Sequence, residues 1–333
     1  MRIRNSTSKR IVLSSRERIF GGGEKFLEMI AHELVELGYV VEIRSPKFSI
    51  LRNRVHHLQH SHTFTPVIGG KIICNDFRSV WKSILMDKSV TRVFVVHGRW
   101  QISRVRLRVC KFLQVRVATI SQDLLNHVQK LEPTVISTKL DFGPEFLGYT
   151  KSEFSEDPIM SDPERVTIGT IARLDPVKNL SLFNAVIESM NGIGIETKGI
   201  LLTPVPLLKD ELAMLSVLGS DISVVHEQSP ESFLKSIDIF LSTSTTESLG
   251  LAHLEALASR KPVVSTAAGG PSEFLIEHLL AGYMPYEVDP ERIATNILSI
   301  LKTSNQNNYW ESAEKVLKSR GPKIMVTQLV SLL

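Results

Sequence analysis

Short segments rich in β-branched residues alternate along the chain with longer segments whose apolar side chains recur at helical spacing. In the first half, residues 24–37 place apolar side chains on one helical face, and Gly38 follows where a left-handed residue commonly ends a helix. A basic helix is predicted near residues 101–112. The predicted strands of this half are residues 10–14, 40–44, 92–97 and 115–121. This alternation predicts a parallel sheet covered by crossover helices.

A second series of the same kind follows an acidic stretch with Ser and Pro at residues 150–165. Its predicted strands are residues 166–172, 198–203, 221–225, 238–244 and 261–266. Its predicted helices are residues 179–190, 249–258, 271–279 and 290–302. Two doubly wound α/β domains, residues 1–150 and 151–333, are the simplest architecture for both series, with the alternative that the last helix returns to the N-terminal domain. Ligands of such folds bind at the carboxyl ends of the strands.

Length and composition are those of an ordinary folded protein with two domains. The chain has 333 residues, of which 43% are hydrophobic and 22% are charged. Its two cysteines, Cys74 and Cys110, supply neither a disulfide framework nor a structural zinc site. We expect neither a signal peptide nor a spanning helix, because no apolar run is long enough for them. The expected location is therefore cytoplasmic, with peripheral contact at the inner face of the membrane left open.

Charge is unevenly distributed along the chain. Residues 1–150 contain 24 Lys and Arg against 12 Asp and Glu, whereas residues 151–333 contain 15 against 23. The formal net charges of the two halves are therefore +12 and −8. A basic domain is typical of proteins that contact phosphate groups, nucleic acid or a membrane surface, and the alternative is a solvated positive face. No helix-turn-helix pattern or basic stretch interleaved with aromatic residues supports nucleic-acid binding.

The segment GTIARLDPVKN, residues 169–179, brings two cations to the end of a predicted strand. Arg173 and Lys178 precede a helix that Asn179 is expected to cap. This combination suits a diphosphate, because Arg can donate to two phosphate oxygens, Lys adds a compact charge and the helix N-terminus favours anions. The alternative is a pair of solvated loop charges.

A Ser- and Thr-rich loop at residues 242–248 leads into a predicted helix, with one glutamate at the helix start and a second inside the helix. Glu247 lies at the start and Glu255 eight residues later, about 12 Å apart if the segment is helical throughout. The free amides of the helix start are expected to hold a diphosphate between the two carboxylates. These amides belong to Leu249, Gly250 and Leu251. The alternative is an acidic first turn that stabilises the helix dipole, followed by an exposed glutamate.

Together these motifs resemble those of glycosyltransferase family 4, retaining enzymes of the GT-B fold. The residues that carry the resemblance are the E-x7-E pair of Glu247 and Glu255, the following segment KPVVSTAAGGPSE and the preceding segment ARLDPVKN. GGGEKFLEMIAHELVELGYVVEI is similar to the family's N-terminal glycine loop and first helix, and VRVATISQDLLNHV to its serine-bearing strand and helix. The resemblance covers nearly the whole chain. It implies two Rossmann-like domains that face each other across a cleft.

The resemblance also implies roles for individual residues in the C-terminal half. Arg173 and Lys178 match the Arg and Lys that neutralise the leaving diphosphate in this family, generally without a divalent metal. Glu255 matches the carboxylate that binds the ribose hydroxyls. Glu247 matches the carboxylate that faces the donor sugar, where it acts electrostatically, by positioning, or both. No cofactor or metal is therefore expected beyond the nucleotide-sugar substrate.

In the N-terminal half, the resemblance concerns His97 and the glycine loop. His97 follows an apolar strand and matches an active-site histidine that contacts the donor sugar or the acceptor; a lone His in this position is otherwise more often structural. Gly21 and Gly22 match the loop where the backbone approaches the donor closely. The run GGGEK fits neither the dinucleotide fingerprint nor the P-loop pattern.

Three segments depart from the family pattern. ILLTPVP at 200–206 stands where many members have a G-x-G loop, and Arg260 occupies a position usually taken by glycine. TKLDFGPEF at 138–146 matches the N-G-V-D segment after the first domain only loosely. These departures concern recognition of the nucleotide base and leave the paired glutamates and the Arg and Lys pair unaffected.

Two further clusters in the basic half have alternative interpretations. In the predicted basic helix, Arg104, Arg108 and Lys111 share one face and Val105, Val109 and Phe112 another. This pattern is typical of a membrane-surface helix and of an ordinary amphipathic crossover helix. The histidine cluster suggests either a metal site or, because it lacks Cys and carboxylate neighbours, a mobile loop on the acceptor side. Its members are His56, His57, His60 and His62.

The resulting hypothesis is a retaining hexosyltransferase that moves a sugar from a nucleotide-diphosphate sugar to an acceptor. The C-terminal domain would hold the donor. The basic N-terminal domain would hold a sugar, a lipid-linked or a small-molecule acceptor, and its charge favours an anionic one, in glycan, glycolipid or glycosylated-metabolite biosynthesis. The alternatives are a non-catalytic nucleotide-sugar-binding partner subunit and a nucleotide-sugar epimerase or phosphorylase on the same fold. The sequence predicts no nucleic-acid partner.

Overall fold

The chain folds into two α/β units, which the computed structural model defines by their internal contacts. The N-terminal unit consists of Met1–Phe142 and Arg320–Leu333, and the C-terminal unit of Gly143–Ser319. The structure describes residues 9–16, 22–62, 65–141, 165–203, 209–226, 228–278, 282–303, 307–319 and 322–333. The predicted domain boundary near residues 142–165, which includes the acidic stretch 150–165, therefore lies outside the described residues, except for Arg165.

Seven parallel strands form the sheet of the N-terminal unit. The strands are β1 (Arg10–Ser14), β2 (Val40–Ser45), β3 (Gln59–His62), β4 (Ile68–Cys74), β5 (Lys88–Val96), β6 (Arg116–Thr119) and β7 (Ser137–Lys139). The helices between them are α1 (Gly22–Glu36), α2 (Ile50–Arg54), α3 (Phe77–Met86), α4 (Arg104–Phe112) and α5 (Gln122–Leu131). The strand order is β3-β2-β1-β4-β5-β6-β7. The carboxyl ends of β1, β4 and β5 therefore lie side by side at the centre of the sheet.

The C-terminal unit has a smaller parallel sheet. Its strands are β8 (Arg165–Ile171), β9 (Glu196–Leu202), β10 (Ile222–Val225), β11 (Ile239–Ser242), β12 (Thr246–Glu247), β13 (Val263–Ser265) and β14 (Ala268–Gly269). Its helices are α6 (Leu180–Gly192), α7 (Lys209–Ala213), α8 (Pro230–Lys235), α9 (Leu251–Ala258), α10 (Ser272–His278), α11 (Pro290–Thr303) and α12 (Asn307–Lys318). The main sheet has the order β10-β9-β8-β11-β13, and β12 pairs with β14 alone. The central strands β8 and β11 are neighbours.

The last helix, α13 (Pro322–Ser331), belongs to the N-terminal unit, where it packs against α1. Its apolar side chains Met325, Val326 and Leu329 are fully buried. The Gln328 side chain bonds both the amide and the carboxylate of Asp141 over 2.8 Å. The chain thus ends by completing the core of the unit in which it begins.

The alternation of elements is confirmed by two parallel α/β sheets. The helix predicted at residues 24–37 spans 22–36, and Gly38 has the expected left-handed conformation with φ of 80°. The basic helix begins at Arg104 rather than near residue 101, because residues 99–101 form a 3₁₀ turn and Ser103 caps the α-helix. Cys74 and Cys110 are buried free thiols.

Two predictions about local structure were wrong. His60 and His62 do not lie in a loop but in β3, which pairs in parallel with β2. Asn179 is at the N-cap of α6, but its side chain makes no capping hydrogen bond because its backbone is left-handed, with φ of 47°. The carboxylate of Asp175 instead accepts the Val177 amide at the start of the preceding 3₁₀ turn.

Candidate active site

A lysine and a glutamate that are far apart in sequence form an ion pair in the C-terminal unit. The Nζ atom of Lys178 lies 2.5 Å from Oε1 of Glu247. Their side chains are only 17% and 20% exposed. Ser244 Oγ donates a second hydrogen bond, of 2.8 Å, to the same carboxylate oxygen. Two of the predicted donor-site residues are therefore in direct contact.

The pair forms because two loops leave the same edge of the sheet. Lys178 follows β8 and Glu247 follows β11, and these strands are neighbours. Two further hydrogen bonds join the loops: the Thr243 side-chain Oγ1 donates to the Lys178 carbonyl over 3.0 Å, and the Thr245 amide donates to the Val177 carbonyl over 2.8 Å. These bonds fix the backbone on either side of the lysine.

The environment of Glu247 favours its ionised form. Burial alone would raise the pKa of this carboxyl, but the Lys178 charge and the hydrogen bonds from Lys178 and Ser244 outweigh burial and lower the pKa below its ordinary value. A negative charge therefore persists beside Lys178 at neutral pH.

Arg173 lies in the loop between β8 and the 3₁₀ turn that contains Lys178. Its side chain is exposed, and no hydrogen bond or ion pair to it is found among the described residues. Arg173 and Lys178 thus share one loop, but within the described part of the chain only the Lys178 side chain has a hydrogen-bond partner.

The start of α9 is shaped by two glycines. Gly250 caps the helix with a left-handed backbone, φ of 86°, and the helix begins at Leu251 rather than at residue 249. A Cβ at Gly270 would lie 2.4 Å from the Leu249 Cα atom, so this close packing requires glycine. No acceptor for the amides of Leu249, Gly250 and Leu251 is found in the described part of the chain. These amides are available to an anion at the helix start.

Glu255 lies within α9 and is buried, with 5% of its surface exposed. It is not the exposed surface glutamate of the alternative interpretation. The spacing of about 12 Å expected for a continuous helix does not apply to Glu247 and Glu255, because Glu247 belongs to β12 and only residues 251–258 are α-helical.

His253 is a site residue that the sequence did not indicate. It is buried in α9, where its Nε2 atom lies 2.8 Å from Ser265 Oγ and its ring packs edge-on against Phe240. Burial lowers the pKa of His253 to about 4, although the nearby Glu247 charge opposes this shift. Its signal in the sequence is weak, because a single histidine beside Glu255 in the otherwise apolar helix segment AHLEALA does not distinguish a buried site residue from an ordinary helix position.

His97, in the N-terminal unit, follows β5, as predicted. Its Nε2 atom lies 2.6 Å from Oδ1 of Asn75, the residue that follows the neighbouring strand β4. Burial lowers the pKa of His97 to about 4, so the ring is neutral at pH 7. Gly22 is the first residue of α1, and Gly21 lies outside the described residues. His97 and Gly22 belong to a different unit from the Lys178–Glu247 pair.

No group of three or more His, Cys, Asp or Glu side chains suited to a metal ion is found among the described residues. The histidine cluster makes other contacts. His57 stacks on His32 with ring centroids 5.2 Å apart, and His60 Nε2 lies 3.0 Å from the Val55 carbonyl. None of the helices within the described ranges has the length and apolar character needed to cross a membrane.

Comparison with known proteins supports an assignment of fold and chemistry. A family model described as glycosyl transferases group 1 matches residues 208–316, about a third of the chain, which include Glu247, α9 and Glu255. A search of curated proteins found no match.

Solved structures resemble the chain over almost its full length. Anabaena HepE (Alr3699), in complex with UDP and glucose, is 17% identical with a TM-score of 0.73, over 97% of this chain and 98% of its own. A glycosyltransferase from Rickettsia africae is 14% identical with a TM-score of 0.73, over 98% and 97%. The sucrose-phosphate synthase of Thermosynechococcus elongatus is 14% identical with a TM-score of 0.72, over 97% and 98%. The chain thus has the GT-B fold, and its match to the glycosyl transferases group 1 family supports glycosyl transfer as its activity.

Proposed function

We propose that the protein is a retaining glycosyltransferase that transfers a hexose from a nucleotide-diphosphate sugar to an acceptor without a divalent metal. The observation that carries this proposal is the Lys178–Glu247 pair beside the amides at the start of α9, for which the described residues supply no acceptor. It combines a cation for the leaving diphosphate with a fixed carboxylate, and both Glu247 and the start of α9 lie inside the segment that matches the family model. Cations held in place before reaction stabilise the charge that develops on the leaving group.

Each residue has a defined part in this proposal. An ammonium group has three hydrogens, so Lys178 can keep its bond to Glu247 and still donate to phosphate oxygens. Arg173, exposed on the same loop, supplies a second and bidentate donor. Leu249, Gly250 and Leu251 offer their amides to the diphosphate, and Glu255 is the proposed partner of the ribose hydroxyls. Glu247 faces the sugar.

In the same proposal, residues of the N-terminal unit contact the donor sugar and the acceptor. His97 is the proposed contact of the donor sugar or the acceptor hydroxyl, and Gly21 and Gly22 would let the backbone approach the donor. Retention and the hexosyl type rest on the family resemblance. The UDP and glucose bound to Anabaena HepE support a nucleotide-sugar donor of this general class.

Binding of the donor can be tested first by thermal shift with UDP, GDP, ADP and their sugar conjugates, with and without a chelator. A ligand that binds only the native protein raises its melting temperature. We expect one family of nucleotides to stabilise the protein and the chelator to leave the shift unchanged. A shift abolished by the chelator would contradict metal independence. Stabilisation without transfer to any acceptor would instead indicate a non-catalytic binding subunit.

The role of the cations can be tested with Lys178→Ala and Arg173→Ala. We expect each variant to reduce turnover by about 10²- to 10³-fold, the typical loss when a preorganised donor to a developing charge is removed. The matched control is Lys198→Ala, which removes an exposed lysine from β9 in the same unit. Steady-state rates with the stabilising nucleotide sugar provide the measurement. Wild-type rates in both variants would show that the donor site is assigned to the wrong residues.

An anionic or lipid-linked acceptor at the inner membrane surface is part of the proposal. The N-terminal half carries a net charge of +12, and Val105 and Phe112 on α4 are exposed, whereas Leu107 and Cys110 form its buried face. Apolar side chains beside basic ones suit an anionic membrane surface. We expect the protein to sediment with anionic vesicles, less so as salt is added, and not with neutral vesicles. Equal sedimentation with both would contradict this part of the proposal.

A further inference from the structure

A buried chain of hydrogen bonds connects a glutamate to His97 in the N-terminal unit. Asn75 Nδ2 lies 3.1 Å from Oε1 of Glu24, and Asn75 Oδ1 lies 2.6 Å from Nε2 of His97. Ser15 Oγ donates to the same Glu24 oxygen over 3.0 Å. Glu24 is 6% and Asn75 3% exposed, so water does not substitute for these partners. These hydrogen bonds can form because the strands β1, β4 and β5 end side by side.

The chemistry of the carboxylate sets the direction of every bond in this chain. An ionised carboxylate only accepts hydrogen bonds, so the NH₂ group of Asn75 must face Glu24. The amide oxygen of Asn75 then faces His97 and must receive a proton from it. His97 therefore carries its hydrogen on Nε2, and its Nδ1 atom has a lone pair. The position of Glu24 in the first turn of α1 stabilises the negative charge on which this reasoning depends.

Contacts on other sides hold the His97 ring and backbone. Phe26 packs edge-on against the ring, with centroids 5.1 Å apart and an interplanar angle of 70°. The His97 amide donates to Gln101 Oε1 over 2.6 Å, and Gln101 Nε2 donates to the Asn75 carbonyl over 3.0 Å. No hydrogen bond to His97 Nδ1 is found among the described residues, and the side chain is only partly buried. Among the described residues, His97 thus has a hydrogen-bond partner at Nε2 and none at Nδ1.

We propose that Glu24 and Asn75 are positioning residues that hold His97 as the neutral Nε2–H tautomer, so that its Nδ1 atom accepts a hydrogen bond from a substrate hydroxyl. The part of this proposal that concerns the substrate hydroxyl rests on the proposed glycosyl transfer. Neither positioning residue needs to touch the substrate. The tautomer is a property of the free protein and can be tested without turnover.

The direct test is ¹⁵N NMR of the full chain labelled at histidine, because the two ring nitrogens of a neutral imidazole have different chemical shifts when protonated and unprotonated. The chain has ten histidines, and His97→Asn identifies the resonances of His97 by their loss. At pH 7 we expect His97 to carry its proton on Nε2. A wild-type spectrum with the proton on Nδ1 would overturn the proposal, and this result requires no variant of Glu24.

Glu24→Gln tests the cause of the tautomer. A glutamine can donate as well as accept, so the Asn75 amide can rotate and donate to Nε2, and the Nδ1–H form of His97 becomes populated. The matched control is Glu28→Gln, one turn later in α1, where the glutamate pairs with Arg54 instead. We expect a changed tautomer in Glu24→Gln and an unchanged one in Glu28→Gln. An unchanged tautomer in a folded Glu24→Gln protein would refute the role of Glu24.

Kinetics then distinguish positioning from a structural role. Loss of one hydrogen-bond acceptor toward the substrate is expected to lower kcat of Glu24→Gln by about 10- to 100-fold, with little change in donor KM. A loss confined to KM or to thermal stability would indicate a structural role alone. If the tautomer is as expected but His97→Asn transfers sugar at the wild-type rate, Nδ1 of His97 does not accept a hydrogen bond that matters for transfer, and that part of the proposal is wrong. If the wild-type protein transfers no sugar, the proposed function fails and the spectrum alone decides the tautomer.

Discussion

His253 illustrates how packing alone can make an ionisable residue stay neutral. Its ring is enclosed by Phe240, Phe274 and Ser265, which come from three other elements. Burial lowers its pKa from 6.5 to about 4. It also lies near the Lys178–Glu247 pair, so a proton on His253 would add a second positive charge beneath the proposed donor site. The neutral form of His253 therefore avoids an ionised group in the core and adds no charge beside the Lys178–Glu247 pair.

This shift predicts how the stability of the fold depends on pH. The unfolded chain binds a proton near pH 6.5 and the folded chain only near pH 4, so folded stability is full above pH 6.5 and falls as the pH decreases toward 4. The loss through His253 is about 3 kcal/mol in total. Urea unfolding at pH 7 and at pH 4.5 measures it. His253→Asn should flatten this dependence, whereas His57→Asn, at an exposed position, should not. Identical pH slopes in wild type and His253→Asn would contradict the prediction.

At the scale of elements, the end of α9 is unusual because a long charged side chain occupies a left-handed position. Arg260 has φ of 52°, where the family pattern has glycine. Its guanidinium lies 5.8 Å from the Trp310 ring centroid and 3.8 Å from Glu314, both on α12. These contacts offset the backbone strain that a residue with a Cβ atom carries in this conformation.

Two substitutions separate the backbone and side-chain contributions of Arg260. Arg260→Gly and Arg260→Ala both remove the contacts with α12, but only glycine relieves the left-handed strain. We expect Arg260→Gly to be more stable than Arg260→Ala by about 1 kcal/mol, measured by urea unfolding. Equal stabilities would mean that the positive φ carries no strain at this position.

Elements that follow a hydrophobic period were predictable to within a few residues, as α1, α6 and β8 illustrate. The short strand β3 was not, because its sequence QHSH lacks β-branched residues and it is a strand only through pairing with β2. The helix α9 begins at Leu251 rather than at the predicted residue 249 because Gly250 adopts a positive φ. Such features depend on neighbours that are distant in sequence.

The same limit applies to the candidate site. The resemblance placed Lys178 and Glu247 in one donor site, and the structure adds that they pair directly. Neither His253 nor the connection from Glu24 through Asn75 to His97 could be predicted, because each depends on contacts between elements that are distant in sequence. Spacing within one segment reports on one helix or strand, whereas these contacts arise between segments.

At the scale of the whole molecule, the chain crosses from one unit to the other and returns. The helix α13 is at the end of the sequence but buries its apolar face against α1, near the start. Arg116 on β6 donates to the Leu332 carbonyl over 2.5 Å, which joins the last turn of the chain to the N-terminal sheet. A sequence pattern predicts the apolar face of such a helix but not the distant helix against which it packs.

This connection predicts where a mutation at the C-terminus acts. Leu329→Ala removes a fully buried side chain and should cost about 2 to 5 kcal/mol. Because α13 belongs to the N-terminal unit, hydrogen exchange should accelerate in α1 and β6, with α6 and β8 unchanged. Leu301→Ala, in the core of the C-terminal unit, is the matched control and should give the opposite pattern. Mass spectrometry of exchanged peptides resolves these elements. Faster exchange across both units in either variant would mean that the units unfold together, so that the stability of the proposed donor site depends on the last helix of the chain.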